Sequence, residues 1–250
     1  MGYPVIYVHG IGASAKAWKN FKIPDHASFY ISFSNRFANP ANQVPELGKF
    51  IDNVLKQTKE EKVILICHSM GGLVARQYLA DYKDSHKVEK LILLSAPNLG
   101  SIGLFFNWLP LALIIIGLFG YNYVWPLFFC LIALVWEVSS FLRGVLLLSP
   151  AAWAMRPHSS FLKQLNSKNM PENVKYVSVL SDTKDLPHWL VNLFLFREKG
   201  DGAVPHSSQQ LSLKSVPNFE KLDYSEIQIN LPHFVIPRQA EQAILQALAL

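Results

Sequence analysis

Half of the 250 residues in this chain are apolar, enough to bury a sizeable core in one large domain, with or without an insertion. Only 16% are charged, against roughly 25% in ordinary soluble domains. The net charge of +5 is scattered rather than gathered in a basic run, which argues against a nucleic-acid-binding protein. The two cysteines predict neither a disulfide framework nor a zinc site.

The N-terminal part of the chain alternates short apolar runs with helical patterns. We predict strands over residues 4–8, 28–33, 62–67 and 90–95. We predict helices over residues 14–21, which Ser14 could cap, and over 43–57 and 72–82. Further strands are expected at 174–180 and 221–229, before a closing helix at 238–250. This alternation indicates βαβ units and a mostly parallel sheet flanked by helices.

One region interrupts this pattern, and we interpret residues 98–157 as an insertion in a core formed by 1–97 and 158–250. Residues 102–136 contain no Asp, Glu, Lys or Arg. They form two apolar pieces, each close to the ~20 residues that cross a bilayer. Their Trp and Tyr residues favour the headgroup layer. Three interpretations stay open: a hydrophobic cap packed on the protein, a helical hairpin in a membrane, or an apolar lid resting in one leaflet.

The stretch VILICHSMGG, residues 63–72, joins a predicted buried strand to a predicted helix through Ser69. Such a turn exposes the serine hydroxyl at the carboxyl edge of a parallel sheet, and it requires small residues on both sides. Cys67 and Gly71 meet that requirement. The Met70 N–H would lie at the start of the helix, where a negative charge is favoured. The arrangement is typical of acyl transfer through a serine nucleophile.

The chain at this point resembles the α/β-hydrolase superfamily, in particular its lipases and esterases. The resemblance rests on VHGIGAS, CHSMGG, GDGAVP and LPHF, which begin at residues 8, 67, 200 and 231. Cys67 replaces the first glycine of the family's G-x-S-x-G motif. The resemblance covers about residues 3–98 and 158–250 and implies an α/β-hydrolase fold. Residues 98–157 have no counterpart in the resemblance, and we expect them to add a hydrophobic helical cap or lid to that fold.

The same resemblance implies two oxyanion donors, the N–H groups of Ile11 and Met70. Gly10 would let the backbone approach closely, and His9 would support the loop with a hydrogen bond. Losing one such donor typically costs about 2.7–4 kcal/mol of transition-state stabilisation. His68 lies beside Ser69 and is interpreted as a supporting or packing residue.

A serine hydroxyl needs a base, and the family's order is serine, acid, histidine. His233 follows the last predicted strand and is the preferred base. Asp201, in a tight Gly-Asp-Gly turn, is the preferred acid. Asp182, after the strand at 174–180, is the alternative acid, together with Asp185.

These residues predict a serine esterase or lipase that acts on lipid or long-chain acyl esters at a membrane, bound through 102–136. We expect no cofactor, no metal and no nucleic-acid partner. The N-terminus lacks a signal-peptide pattern, so a membrane-associated protein with a cytoplasmic catalytic domain is expected. An acyltransferase using the same acyl-enzyme, and a non-catalytic membrane-anchored binding protein, are the alternatives. Cys67 as nucleophile is disfavoured, because a thiol in an apolar strand stays protonated.

Overall fold

The architecture is taken from a computed structural model. It describes residues 2–18, 21–81, 86–101, 149–184, 192 and 197–250. The uncharged segment 102–136 and most of the proposed insertion 98–157 lie outside these residues, as does Asp185.

Six strands form one sheet in the described residues. They are β1 (Gly2–Val8), β2 (His26–Tyr30), β3 (Val63–His68), β4 (Val88–Leu94), β5 (Lys175–Ser181) and β6 (Asp223–Ile229). Their spatial order is β2-β1-β3-β4-β5-β6. All five neighbouring pairs are parallel. Because parallel strands end on the same side, the loops after them all meet at one carboxyl edge of the sheet.

The described helices are α1 (Pro40–Thr58), α2 (Met70–Asp81), α3 (Pro150–Ala154), α4 (Ser160–Asn166), α5 (His206–Gln209), α6 (Ile236–Gln239) and α7 (Glu241–Ala249). Short 3-10 turns occur at Ala15–Trp18, Phe219–Lys221 and His233–Val235. None of the helices found in the described residues combines the length and the hydropathy needed to cross a membrane.

The central strands are buried on both faces, as a sheet covered by helices on two sides requires. All six residues of β3 are buried, and alternate side chains enter two separate cores. Leu65 and Cys67 pack on the side of α1 and α2, whereas Ile64 and Ile66 pack on the side of α7. The sheet therefore fixes the end of β3 firmly within the fold.

Several predicted boundaries differ from those of the structure. Strand β2 ends at Tyr30 rather than at residue 33, because the Phe33 N–H turns away and donates to His9 Nε2 at 3.3 Å. Within the predicted helix over 14–21, the described residues form only the 3-10 turn Ala15–Trp18. Helix α2 begins at Met70, directly after the serine. The closing helix starts earlier, at Ile236, and is interrupted at Ala240.

Candidate active site

Ser69 occupies a strained turn between β3 and α2. Its φ of +53° is a left-handed conformation that non-glycine residues rarely adopt. The turn also leaves no space at position 71, where an added Cβ would lie 2.7 Å from the carbonyl oxygen of His9. The requirement for a small residue two positions after the serine is therefore steric, imposed by the end of the neighbouring strand β1.

Cys67 occupies the other small position of the motif. Its side chain is fully buried in the core between the sheet and α1 and α2. Burial raises the pKa of the thiol well above its ordinary value, which keeps the sulfur protonated. The residue packs as a small apolar side chain, and its protonated thiol is poorly suited to act as a nucleophile.

Three side chains from distant parts of the chain meet at the carboxyl edge. His233 Nε2 lies 2.9 Å from Ser69 Oγ, and His233 Nδ1 lies 2.6 Å from Asp201 Oδ2. A carboxylate only accepts hydrogen bonds, so Nδ1 carries the proton and Nε2 is left to accept from the serine hydroxyl. All three are almost fully buried, with exposures of 4% for Ser69, 3% for His233 and 0% for Asp201.

The loop around Asp201 holds its carboxylate in one orientation. Oδ1 accepts hydrogen bonds from the N–H groups of Ala203 at 3.0 Å and Val204 at 2.7 Å, which leaves Oδ2 for His233. The Asp201 carbonyl oxygen also accepts from the His233 N–H at 3.1 Å. The acid and the histidine are thus joined through both backbone and side chain.

Asp182, the alternative acid, lies in a different pair. Its Oδ1 is 3.0 Å from Nδ1 of His206 at the start of α5. The Asp182 N–H donates to the Ile229 carbonyl oxygen at the end of β6. The structure therefore brings Asp201 to His233 and leaves Asp182 at the neighbouring strand ends.

His68 contacts the other side of the His233 ring. The two ring centroids are 4.7 Å apart, and His68 Nε2 donates to the His233 carbonyl oxygen at 3.1 Å. Burial, followed by repulsion from His233, lowers the pKa of His68 well below its ordinary value of 6.5. A neutral His68 adds no positive charge beside His233.

His9 and Gly10 set the orientation of the Ile11 amide. His9 Nδ1 donates to the Gly10 carbonyl oxygen at 2.8 Å, and burial lowers the pKa of His9. Since a peptide unit is planar, fixing that carbonyl also fixes the Ile11 N–H on the opposite side. The Gly10 backbone lies against the serine, because an added Cβ would stand 3.1 Å from Ser69 Cβ. Within the described residues, neither the Ile11 nor the Met70 N–H donates to another group.

The sequence reasoning missed Gln209, whose side-chain amide is fully buried and contacts the loop around Asp201, called the acid loop below. Its Oε1 accepts from the Ser181 N–H at 2.6 Å and from Ser95 Oγ at 3.1 Å. Its Nε2 donates to the carbonyl oxygens of Ser181 and Val204. The side chain thereby ties the ends of β4 and β5 to the acid loop, and no local sequence pattern reveals it.

Arg76 of α2 is the second residue that the sequence did not reveal. Its buried guanidinium donates to Asn98 Oδ1 and Asn166 Oδ1, each at 3.1 Å, and to the Ser215 carbonyl oxygen at 2.6 Å. Burial lowers its pKa to about 10. Asn98 and Asn166 lie on the two sides of the uncharged segment, so Arg76 links both flanks of that segment to the helix that follows Ser69.

The described part of the chain contains no group of three side chains suited to hold a metal ion. The arrangement instead offers a hydroxyl, an imidazole, a carboxylate and two backbone N–H groups around one turn.

Comparison with solved structures decides the fold. The mature lipase BlEst2 of Bacillus licheniformis superimposes with a TM-score of 0.68 at 17% identity, covering 98% of this chain and 91% of that one. A protein-family model described as "alpha/beta hydrolase fold" matches residues 3–121 of the chain. The chain has the α/β-hydrolase fold. Within this α/β-hydrolase fold, the strand–Ser69–helix turn lies inside the matched residues, and the fold predicted from the sequence is confirmed.

The chain is also similar in sequence to two curated thioesterases. It is 33% identical over 110 residues to lysosomal thioesterase PPT2-B of Xenopus laevis and 31% identical over 108 residues to lysosomal thioesterase PPT2 of Mus musculus. The matches span 38% and 35% of those proteins. The chain therefore matches well under half the length of these curated relatives.

Proposed function

We propose that the protein is a serine hydrolase that cleaves carboxylic esters through an acyl-enzyme. The observation that carries the proposal is the continuous chain Ser69–His233–Asp201, with distances of 2.9 Å and 2.6 Å between the bonding atoms. Nucleophile, base and orienting acid are thus already within the range that proton transfer needs.

In the proposed reaction His233 Nε2 removes the proton of Ser69 Oγ as that oxygen attacks the ester carbonyl carbon. Asp201 holds the imidazole in the required tautomer and stabilises the imidazolium that forms. The protonated His233 then gives its proton to the leaving alcohol. Water activated by the same histidine attacks the acyl-enzyme and releases the acid.

The oxyanion would be held by the N–H groups of Ile11 and Met70. This assignment is supported by their position on the two sides of Ser69 and by the fixed Gly10–Ile11 peptide. The amide at the start of α2 also benefits from the helix dipole, which favours the negative charge of the tetrahedral intermediate.

Thioester hydrolysis is a second candidate activity, favoured by the similarity to two lysosomal thioesterases over about 110 residues. The proposed steps are the same, except that a thiolate leaves in place of an alkoxide. Parallel assays with an oxygen ester and a thioester of the same acyl group would rank the two activities.

The nucleophile is tested by labelling with a fluorophosphonate probe, which reacts with activated serines. We expect the wild-type protein to be labelled, and a Ser69→Ala variant to lose both labelling and esterase activity. A Cys67→Ser variant serves as the matched control and should keep labelling, because residue 67 only packs in the core. Labelling that survives Ser69→Ala would refute the assignment.

For the substrate, we propose a lipid or long-chain acyl ester reached at a membrane through 102–136, with the catalytic domain on the cytoplasmic side. Support comes from the flank of that segment: the Ser101 hydroxyl donates to the Ala203 carbonyl oxygen in the acid loop. Ser101, the last described residue before the segment, therefore lies beside the loop that carries Asp201.

Deletion of residues 102–136 tests this substrate proposal. We expect activity on long-chain esters to fall much more than activity on short, soluble esters, because the chemical groups remain while the apolar surface is lost. The short-chain activity also reports whether the variant is folded. Equal losses on both substrates would contradict the proposal.

A further inference from the structure

The side chain of Asn192 contacts the acid loop on both sides of Asp201. Its Nδ2 donates to the Gly200 carbonyl oxygen at 2.7 Å, and its Oδ1 accepts from the Gly202 N–H at 3.2 Å. Asn192 is buried, with an exposure of 5%. A single amide therefore brackets the aspartate whose carboxylate contacts His233.

The two hydrogen bonds hold the two peptide units that flank Asp201. Because a peptide unit is planar, holding the Gly200 carbonyl also orients the Asp201 N–H, which donates to the Val204 carbonyl oxygen at 3.3 Å. Holding the Gly202 N–H likewise orients the Asp201 carbonyl, which accepts from the His233 N–H at 3.1 Å. The two planes together set φ and ψ of residue 201, and with them the direction in which its carboxylate leaves the backbone.

The contact with Gly202 depends most on Asn192. The Gly200 carbonyl oxygen also accepts from the Thr183 N–H at 2.8 Å, whereas among the described residues the Gly202 N–H donates to Asn192 alone. An amide carries a donor and an acceptor on one planar group, so it matches a carbonyl and an N–H of the same turn. A carboxylate lacks the donor, and an aliphatic side chain lacks both groups.

We propose that Asn192 is a positioning residue for the acid of the candidate catalytic chain. The amide holds the acid loop, the loop directs Asp201 Oδ2 to His233 Nδ1, and His233 Nε2 in turn meets Ser69. This inference rests on the proposed function, because it requires Asp201 to orient the histidine during ester hydrolysis. A misplacement of about 1 Å in such a chain can reduce the rate on the order of 10²-fold.

The test is a double-mutant cycle between positions 192 and 201, measured by hydrolysis of a short soluble ester. Asn192→Leu keeps the branched shape of the side chain and removes both hydrogen bonds. We expect kcat to fall on the order of 10²-fold with KM within about twofold of wild type, because the reacting groups are displaced while substrate contacts remain. In an Asp201→Asn background, the same substitution should change kcat by less than about threefold, because residues that act as a unit are not additive.

Asn218→Leu is the matched control, because the Asn218 amide makes the same pair of contacts elsewhere. It donates to the Met170 carbonyl oxygen and accepts from the Met170 N–H, each at 2.9 Å. Met170 precedes β5 at the amino end of that strand, so the control should keep kcat within about twofold of wild type.

Denaturant titration of the variants reports whether they are folded. If Asn192→Leu does not fold, Asn192→Ser takes its place in the cycle, since it leaves room for a water molecule to bond both backbone groups. Its expected loss in kcat is about tenfold.

Two results would overturn the inference. One is a wild-type kcat in the folded variant at position 192. The other is an equal loss in kcat with and without the Asp201 carboxylate, which would indicate a general structural effect. Full activity of Asp201→Asn alone is a different result, because it would reject the acid assignment of the proposed function and the inference with it.

Discussion

At the scale of single residues, the site depends on which carboxylate reaches His233. Asp201 has one oxygen held by two backbone N–H groups and the other 2.6 Å from the imidazole. Asp182 has a comparable local setting after a strand, yet its side chain bonds to His206. Orientation by backbone donors, rather than the presence of an acid, distinguishes the two.

We therefore expect Asp201→Asn to reduce kcat on a soluble ester by about 10⁴, because an amide favours the wrong histidine tautomer. Asp182→Asn is the matched variant and its kcat should stay within about threefold of wild type, since the Asp182 side chain contacts His206 rather than His233. Steady-state kinetics of both variants make the comparison. A larger loss for Asp182→Asn would reverse the assignment of the acid.

At the scale of elements, α2 connects separate segments of the chain through its buried Arg76. Its buried Arg76 holds Asn98 after β4 and Asn166 at the end of α4, and the Asn166 amide also donates to the Asn98 carbonyl oxygen at 2.9 Å. The ion pairs in the described residues leave Arg76 without a carboxylate partner. Among the described residues its charge is therefore offset by neutral oxygens, so its three hydrogen bonds to them are expected to be important for stability.

Arg76→Met should lower the free energy of unfolding by about 2–4 kcal/mol, because buried acceptors on three segments lose their donors. Lys49→Met, at an exposed position on α1, is the control and should change it by less than about 0.5 kcal/mol. Denaturant titration measures both. Equal stability of Arg76→Met and wild type would show that the three segments are held without the guanidinium.

At the scale of the whole molecule, stability should depend on pH through buried imidazoles. The folded-state pKa of His68 lies well below 6.5, and that of His9 is lowered too, in both cases first through burial. Below the unfolded-state pKa of about 6.5, these histidines bind protons in the unfolded chain but stay neutral in the folded protein. Stability is therefore fully present above about pH 6.5 and falls as the pH decreases.

We expect wild type to lose about 1 kcal/mol more than His68→Gln between pH 6.5 and 5.5, since each pH unit contributes at most about 1.4 kcal/mol per group. The glutamine can still donate to the His233 carbonyl oxygen, so the comparison isolates the titration. The measurement is the free energy of unfolding of both proteins across this pH range. If it falls equally with pH in both proteins, the prediction is contradicted.

The sequence by itself determined the alternation of strands and helices and the strand–Ser69–helix turn, because each depends on a pattern within a short stretch of chain. It also indicated the α/β-hydrolase fold, through four short motifs that can each be read locally. It also supplied Ser69, Asp201 and His233 as candidates, whose catalytic roles stay predictions. Only the tertiary structure decided that Asp201 rather than Asp182 contacts His233, and that Gln209 and Arg76 join separate loops. These contacts link groups up to 139 residues apart, so they arise only when the parallel strands bring their carboxyl ends to one edge.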